Sequence, residues 1–174
     1  MKKVAVVVLA LALLTMLFAV LPAMAAPPEE KKVPVNVTFK VTLNKLIENF
    51  TTEGNVSHRI YLQNWDVSLT IGDSSTPIKG TAVVDRDTDY RYVKPSVVNQ
   101  VINDHIVMSF PTEGGGFEGH AQSIITDWDS ATRTYNIRVH VLLQGTDAFE
   151  GQTLNAWQSG PGTTPLWEGY LLKP

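Results

Sequence analysis

Alternation of apolar and polar residues is the strongest pattern in the chain. From Val33 to Leu43 every second residue is apolar, over eleven residues. Successive side chains of a strand point to opposite faces, so this pattern predicts a strand with one buried face. Seven further runs rich in β-branched and aromatic residues predict strands at 58–71, 78–85, 106–110, 118–128, 133–144, 150–157 and 166–172.

Turn-forming residues separate most of these predicted strands. Clusters of Gly, Pro, Asp, Ser and Thr occupy 72–75, 111–116, 129–132, 145–147 and 159–165. Eight strands with mostly short connections predict an all-β fold, an antiparallel eight-stranded barrel of the up-and-down type, which we favour over a sandwich. The interior of such a barrel is just large enough for side chains or for one small ligand.

One segment between the third and fourth predicted strands departs from the alternation. Apolar residues recur there at spacings of i, i+1, i+4 and i+5, namely Val97, Val98, Val101 and Ile102. With Ser96 as its N-cap, this spacing predicts one short helix. Such a helix would cap one end of the barrel.

The N-terminus has the three parts of a secretory signal. Lys2 and Lys3 precede an apolar run over 4–20, and Ala23-Met24-Ala25 is an A-x-A cleavage site. We therefore expect a signal peptide at 1–25, a flexible leader at 26–32, one β-barrel domain at 33–174, and an extracytoplasmic location (secreted, periplasmic or cell-surface). The alternative is an uncleaved anchor, because the run is close to the shortest apolar span.

Charge and cysteine content narrow the function classes. Removal of 1–25 leaves 12 basic and 17 acidic residues, which argues against a nucleic-acid partner. No second apolar run could span a bilayer, so we expect no stable membrane insertion after cleavage. The chain has no Cys and so neither disulfides nor a thiolate metal site. Three N-x-S/T sequons make Asn36, Asn49 and Asn55 candidate glycosylation sites in an exported protein.

A repeated tripeptide supports the interpretation of the chain as a series of β-hairpins. Phe-Glu-Gly occurs at Phe117–Gly119 and at Phe149–Gly151, each time after a turn cluster and before a strand-like run. The pattern Gly145-Thr146-x-x-Phe149-x-Gly151 resembles an element of the allene oxide cyclase and dirigent-like barrels, with a looser copy at Gly114–Gly119. The resemblance covers about 106–172 and implies an eight-stranded barrel with a mouth and a lumen. It matches no catalytic residue of those families.

The hairpin of 118–128 and 133–144 yields the candidate ligand residues. A four-residue loop gives paired residue numbers that sum to 261 and places His120 and Gln122 on the apolar inner face. A three-residue loop gives a sum of 262 and exchanges the faces of the first strand. We prefer the first register, because it buries Ile124 and Trp128. Gln152 is the equivalent of His120 in the second tripeptide copy, so His120, Gln122 and Gln152 are the predicted ligand-binding residues.

No cofactor or metal motif accompanies these residues. The four His lack metal-ligand spacing, and the D-x-D-x-D segment Asp85–Asp89 lacks the Gly and Glu of a calcium loop, so we read it as a polar loop. We expect a protein that binds a small, largely apolar molecule in the lumen. Two alternatives stay open: a structural or adhesive cell-envelope protein with a solid barrel, and a cyclase or isomerase with His120 as acid–base group. A binding protein is favoured over an enzyme.

Overall fold

The computed structural model describes residues 31–51, 56–94, 97–129, 132, 134–161 and 166–173. These residues form eight strands: β1 (Lys31–Thr51), β2 (Val56–Ile71), β3 (Ile78–Lys94), β4 (Val97–Phe110), β5 (Gly115–Asp129), β6 (Thr134–Asp147), β7 (Thr153–Pro161) and β8 (Leu166–Lys173).

The strands form one ring-like antiparallel sheet in sequence order. Each strand pairs with its neighbours in the chain, and β1 also pairs with β8, from Lys31 opposite Lys173 to Thr38 opposite Leu166. The prediction of eight antiparallel strands is therefore confirmed. Because β1 begins at Lys31, the last two residues of the predicted leader belong to the sheet. The predicted signal peptide lies outside the described residues, among which no helix is long and apolar enough to cross a bilayer.

The predicted helix between the third and fourth strands is wrong. Val97 begins strand β4, and the described part of the chain contains no helix there. The pairing shifts between Tyr92 and Lys94, and again between Val98 and Gln100. A β-bulge inserts one residue and changes the phase of the alternation, so an extended chain acquires apolar pairs at helix-like spacing. The β-branched side chains themselves favour a strand.

Apolar side chains fill the lower end of the ring, which we define by the turns at 72–77, 111–114 and 148–152. Both Phe residues of the repeated tripeptide lie there. The rings of Phe117 and Phe149 are 4.8 Å apart, and Phe110 lies 6.4 and 6.1 Å from them. These three residues are named the Phe cluster. They belong to a larger buried core that also contains Leu69, Ile106, Met108, Val141, Leu143, Leu154 and Leu171.

The two glycines of the repeat serve the backbone in different ways. A Cβ on Gly119 would lie 2.4 Å from the carbonyl oxygen of Leu142, so a side chain does not fit beside β6. Gly151 has a φ of 78°, a left-handed conformation that Gly adopts without steric cost, in the turn before β7. The tripeptide is thus accounted for by packing and turn geometry.

At the upper end, which is opposite the lower end, the strands on one side of the ring are shorter than those on the other. β7 and β8 have 9 and 8 residues, whereas β1 has 21. β8 pairs with β1 only as far as Thr38. From Phe39 onward, β1 pairs with β2 alone among the described strands. β7 pairs with β6 as far as Pro161 opposite Asn136, so among the described strands the wall is lowest at β8, beside the part of β1 that follows Thr38.

Candidate functional site

The pairing of β5 with β6 corrects the predicted hairpin register. Ala121 lies opposite Val141 and Ser123 opposite Val139, so paired numbers sum to 262 and the preferred register is wrong. The shift arises at a bulge between Thr126 and Asp129, which separates the register near the loop from that in the body of the hairpin. Consequently Ala121, Ser123 and Ile125 are the buried residues of β5 in this stretch.

The predicted ligand residues do not converge. His120 and Gln122 lie on the outer wall, because the change of register exchanges the faces of β5. The His120 ring is 5.1 Å from that of His105, and Gln122 Nε2 donates a 3.3 Å hydrogen bond to Asn103 Oδ1. Gln152 is half-buried at the lower end, where its Oε1 is buried without a hydrogen-bond partner among the described residues. Placement of His120 and Gln122 inside the barrel was wrong.

An interior cavity of about 190 Å³ lies above the packed lower end. It exceeds the roughly 150 Å³ engineered cavity that holds benzene, and it is smaller than the about 300–1,000 Å³ of drug-sized sites. Strands β1 and β3 to β8 supply its walls. The lining residues are Phe39, Arg86, Ile102, Asp104, Ser123, Ile125, Tyr135, Ile137, Val139, Gln158 and Trp167.

A charged pair forms one wall of the cavity. Arg86 on β3 lies directly opposite Asp104 on β4. Its Nε and Nη2 each donate a 2.8 Å hydrogen bond to the carboxylate, to Oδ1 and Oδ2 respectively. The Asp104 side chain is 2% exposed and that of Arg86 23% exposed. A buried carboxylate needs such a partner, and two parallel hydrogen bonds are the strong form of this pairing.

Phe39 and Trp167 form the aromatic floor of the cavity, and Trp65, which does not line the cavity, packs against both rings. The Phe39 ring stacks on Trp65 at 4.5 Å and lies 4.7 Å from Trp167. Trp65 Nε1 donates a 2.9 Å hydrogen bond to Gln63 Oε1, which satisfies its buried N–H. The Arg86 guanidinium lies 5.7 Å from the centre of the Trp65 ring, within the range of a cation–π contact. Trp65 therefore holds Arg86 from below while Asp104 holds it from the side.

Polar and aromatic side chains continue along β2 and β3 towards the upper end. Tyr61 and Tyr90 bring their hydroxyl oxygens to 3.2 Å, and the Arg59 guanidinium lies 4.6 Å over the Tyr90 ring. Burial, together with the hydrogen bond to Tyr61, raises the pKa of Tyr90 above its ordinary value. Thr88, between Arg86 and Tyr90 on this face, is 1% exposed, and its Oγ1 has no partner in the described part of the chain.

A second polar cluster lies on the outer wall. His58 Nδ1 on β2 is 2.9 Å from Asp89 Oδ1 and 3.3 Å from Asp87 Oδ1 on β3. These are the only described residues whose His and carboxylate atoms are close enough to share a metal ion. A protonated His58 accounts for the same distances, and no metal is assigned. The segment Asp85–Asp89 is strand rather than the predicted loop, and sequence spacing missed the cluster because its members come from two strands.

The His58 cluster predicts a pH-dependent contribution to stability. The hydrogen bond to Asp89 and the charges of Asp87, Asp89 and Glu48 raise the pKa of His58 above 6.5. Folding therefore gains from the charged form below pH about 6.5, and this gain disappears as pH rises through the raised pKa of the folded state. The contribution should be less than about 1 kcal/mol, because the cluster is solvent-exposed.

Urea unfolding between pH 5 and 9 should test this contribution. We expect the stability difference between the wild type and His58→Gln to be largest at acidic pH and to shrink at alkaline pH. His140→Gln is the matched control, because His140 Nε2 faces Asn155 Oδ1 at 3.1 Å rather than a carboxylate. Parallel pH profiles for the two variants would contradict the assignment.

The candidate glycosylation sites differ in their surroundings. Asn36 is exposed on β1. Asn49 is also exposed, and its Oδ1 accepts a 3.2 Å hydrogen bond from the Ser57 hydroxyl. Asn55 lies outside the described residues.

Comparisons with protein-family models, curated proteins and solved structures found no match. The resemblance to allene oxide cyclase and dirigent-like barrels stays a prediction from the short Gly145–Gly151 motif. The chemistry of the interior must therefore be read from this chain's own residues.

His120 is not among the described residues that line the cavity, and both oxygens of Asp104, which does line it, accept hydrogen bonds from Arg86. His120, the acid–base group of the cyclase or isomerase hypothesis, lies on the opposite side of the wall. A group on the outer wall cannot reach the proton of a molecule held inside, because general acid–base catalysis needs hydrogen-bond contact.

Proposed function

We propose that this protein binds one small, largely apolar molecule in the interior of its β-sheet ring, as an exported protein. The observation that carries the proposal is the aromatic and aliphatic cavity with a few polar side chains on its walls. A closed barrel of the up-and-down type is part of the proposal, and the pairing of β1 with β8 supports it. The predicted signal peptide supports the extracytoplasmic location.

The size of the cavity limits the ligand. A space of about 190 Å³ accommodates one ring or one short chain rather than a steroid or a long lipid. The alternative of a solid structural barrel fits the lower end, where the Phe cluster and its neighbours leave the interior filled. The upper half is where the two functions differ, because a structural protein has no need of a cavity above the aromatic floor.

A cavity-filling variant should test the proposed function. Ser123 is buried and lines the cavity, so Ser123→Phe introduces a ring into the space that a ligand would occupy. Toluene is a suitable probe, and its binding can be followed through the fluorescence of Trp167, which lines the cavity, and of Trp65 behind it, and through ligand-observed NMR. We expect the affinity for toluene to fall at least tenfold.

Ser109→Phe is the matched control, because Ser109 is exposed on the outer face of β4. It should retain the wild-type affinity. Native mass spectrometry of protein from its own host adds an independent measurement, in which a copurified small molecule is expected. A wild type that neither binds toluene nor carries a copurified molecule would contradict the proposal and favour the solid structural barrel.

A further inference from the structure

We infer that the cavity selects neutral molecules bearing a hydrogen-bonding oxygen and excludes carboxylates, although an arginine lines its wall. The inference rests on the proposed function and adds the chemical class of the ligand. An arginine in a ligand cavity ordinarily indicates an anion, because the guanidinium matches carboxylate and phosphate oxygens. Here a buried partner within the same chain changes that expectation.

Asp104 already occupies the anion-binding side of Arg86. Both carboxylate oxygens accept hydrogen bonds at 2.8 Å, from Nε and from Nη2. The pair therefore brings no net charge to the cavity wall. An anionic ligand would lie beside the buried Asp104 carboxylate and would lose its hydration without a free cationic partner, which is costly in a protein interior.

The same geometry leaves Arg86 able to donate to a neutral group. Asp104 accepts one N–H from Nε and one from Nη2, so three of the five N–H donors of the guanidinium, two on Nη1 and one on Nη2, are not used by Asp104. Ser123 and Gln158 add polar atoms to the lining, whereas the remaining wall is mostly aliphatic and aromatic. An apolar ring that carries a hydroxyl or carbonyl oxygen matches both parts of this surface.

The buried hydroxyl of Thr88 points to the same polarity. Thr88 lies opposite the cavity residue Ile102 and two residues beyond Arg86 on β3. Its Oγ1 is buried without a partner in the described chain, and such a group is usually satisfied by an ordered water molecule or a ligand. Thr88 does not line the cavity, so its hydroxyl adds an uncharged polar group beside Arg86 and no second cation for an anionic ligand.

Three probes that share one ring should test the selectivity of the wild type at pH 7.5: benzyl alcohol, toluene and benzoate. We expect benzyl alcohol to bind most tightly and benzoate at least tenfold more weakly than benzyl alcohol. Benzoate binding as tightly as benzyl alcohol would overturn this inference alone and leave the proposed function standing. Absence of binding by all three probes would overturn the proposed function and this inference with it.

Asp104→Asn supplies a gain of binding as the second measurement. The substitution removes the competing charge and frees Arg86, so benzoate affinity should rise at least tenfold and benzoate should raise the melting temperature of this variant. Asp66→Asn removes the same charge from an exposed position on β2 and should not change benzoate affinity. Equal benzoate affinities in the two variants would overturn the inference. The wild-type probe series decides the question if Asp104→Asn does not fold.

Discussion

Replacing Arg86 with methionine should lower the free energy of unfolding by about 3–5 kcal/mol, because it leaves a buried carboxylate without its partner. Asp104 is the more buried member of the pair, at 2% exposure, so removal of the arginine leaves the more costly orphan. Trp65 also loses its contact with the guanidinium. Equilibrium urea unfolding followed by circular dichroism at pH 7 measures the change.

Substitution of Asp104 and the double variant separate the contribution of the ion pair to stability from the contributions of its two members. Asp104→Leu should cost less than Arg86→Met, since the 23% exposed Arg86 can turn towards the solvent or the cavity. Arg86→Met combined with Asp104→Leu should recover most of the lost stability, because an apolar pair of similar volume avoids the desolvation of two charges. Arg138→Met, on the exposed face of β6, is the control and should change stability by no more than about 0.5 kcal/mol. A double variant as unstable as Arg86→Met would show that the pair itself supplies the stability.

This ion pair also explains why the predicted third strand is too short. The predicted third strand ends at Asp85, yet β3 continues to Lys94. Arg86 and Thr88 follow Ala82 and Val84 on the same buried face, so the phase of the alternation is kept while its polarity changes. In a local pattern of alternation, a charged residue at a position expected to be buried predicts the end of the strand. Its compensation by Asp104, 18 residues later, is visible only once the two strands are paired.

Asp104 carried the corresponding signal on the partner strand. It alternates in phase with the buried residues Ile102, Ile106 and Met108. Two residues of opposite charge, each in phase with an apolar face and on consecutive strands, would have predicted an interior ion pair. The D-x-D-x-D pattern instead predicts a polar loop at Asp85, Asp87 and Asp89, which all lie on the outer face of β3.

The strands were predictable to different extents for a physical reason. β6 keeps a regular alternation over most of its length, and β1 does so as far as Lys40, before its own bulges between Val41 and Leu43 and between Leu46 and Glu48. The predicted spans 33–43 and 133–144 fall largely within these regular parts. Bulges near Val98 and near Asp127, whose φ is 58°, break this regularity. A bulge changes which residues share a face but leaves the composition unchanged. The sequence therefore did not show which face of β5 carries His120, or that Val97–Ile102 is part of a strand.

Truncation of the Phe cluster should have an effect comparable to breaking the ion pair. Phe117→Ala removes a fully buried ring that contacts Phe149 at 4.8 Å, and it should lower the free energy of unfolding by about 3–5 kcal/mol. The loss combines the missing burial of the ring with the void that the substitution leaves among the buried core side chains. Phe50→Ala is the control, because Phe50 is 51% exposed on β1, and it should change stability by less than about 1 kcal/mol.

The cluster should also behave as one unit. Once Phe117 is truncated, Phe149 has lost its nearest aromatic neighbour, so Phe149→Ala should cost less in the Phe117→Ala background than in the wild type. The same urea titrations, arranged as a double-mutant cycle, measure this coupling. Additive losses would mean that the two repeated Phe-Glu-Gly segments stabilise their hairpins separately. A clear coupling would show that the repeat packs one copy against the other to close the lower end of the ring, beneath the cavity.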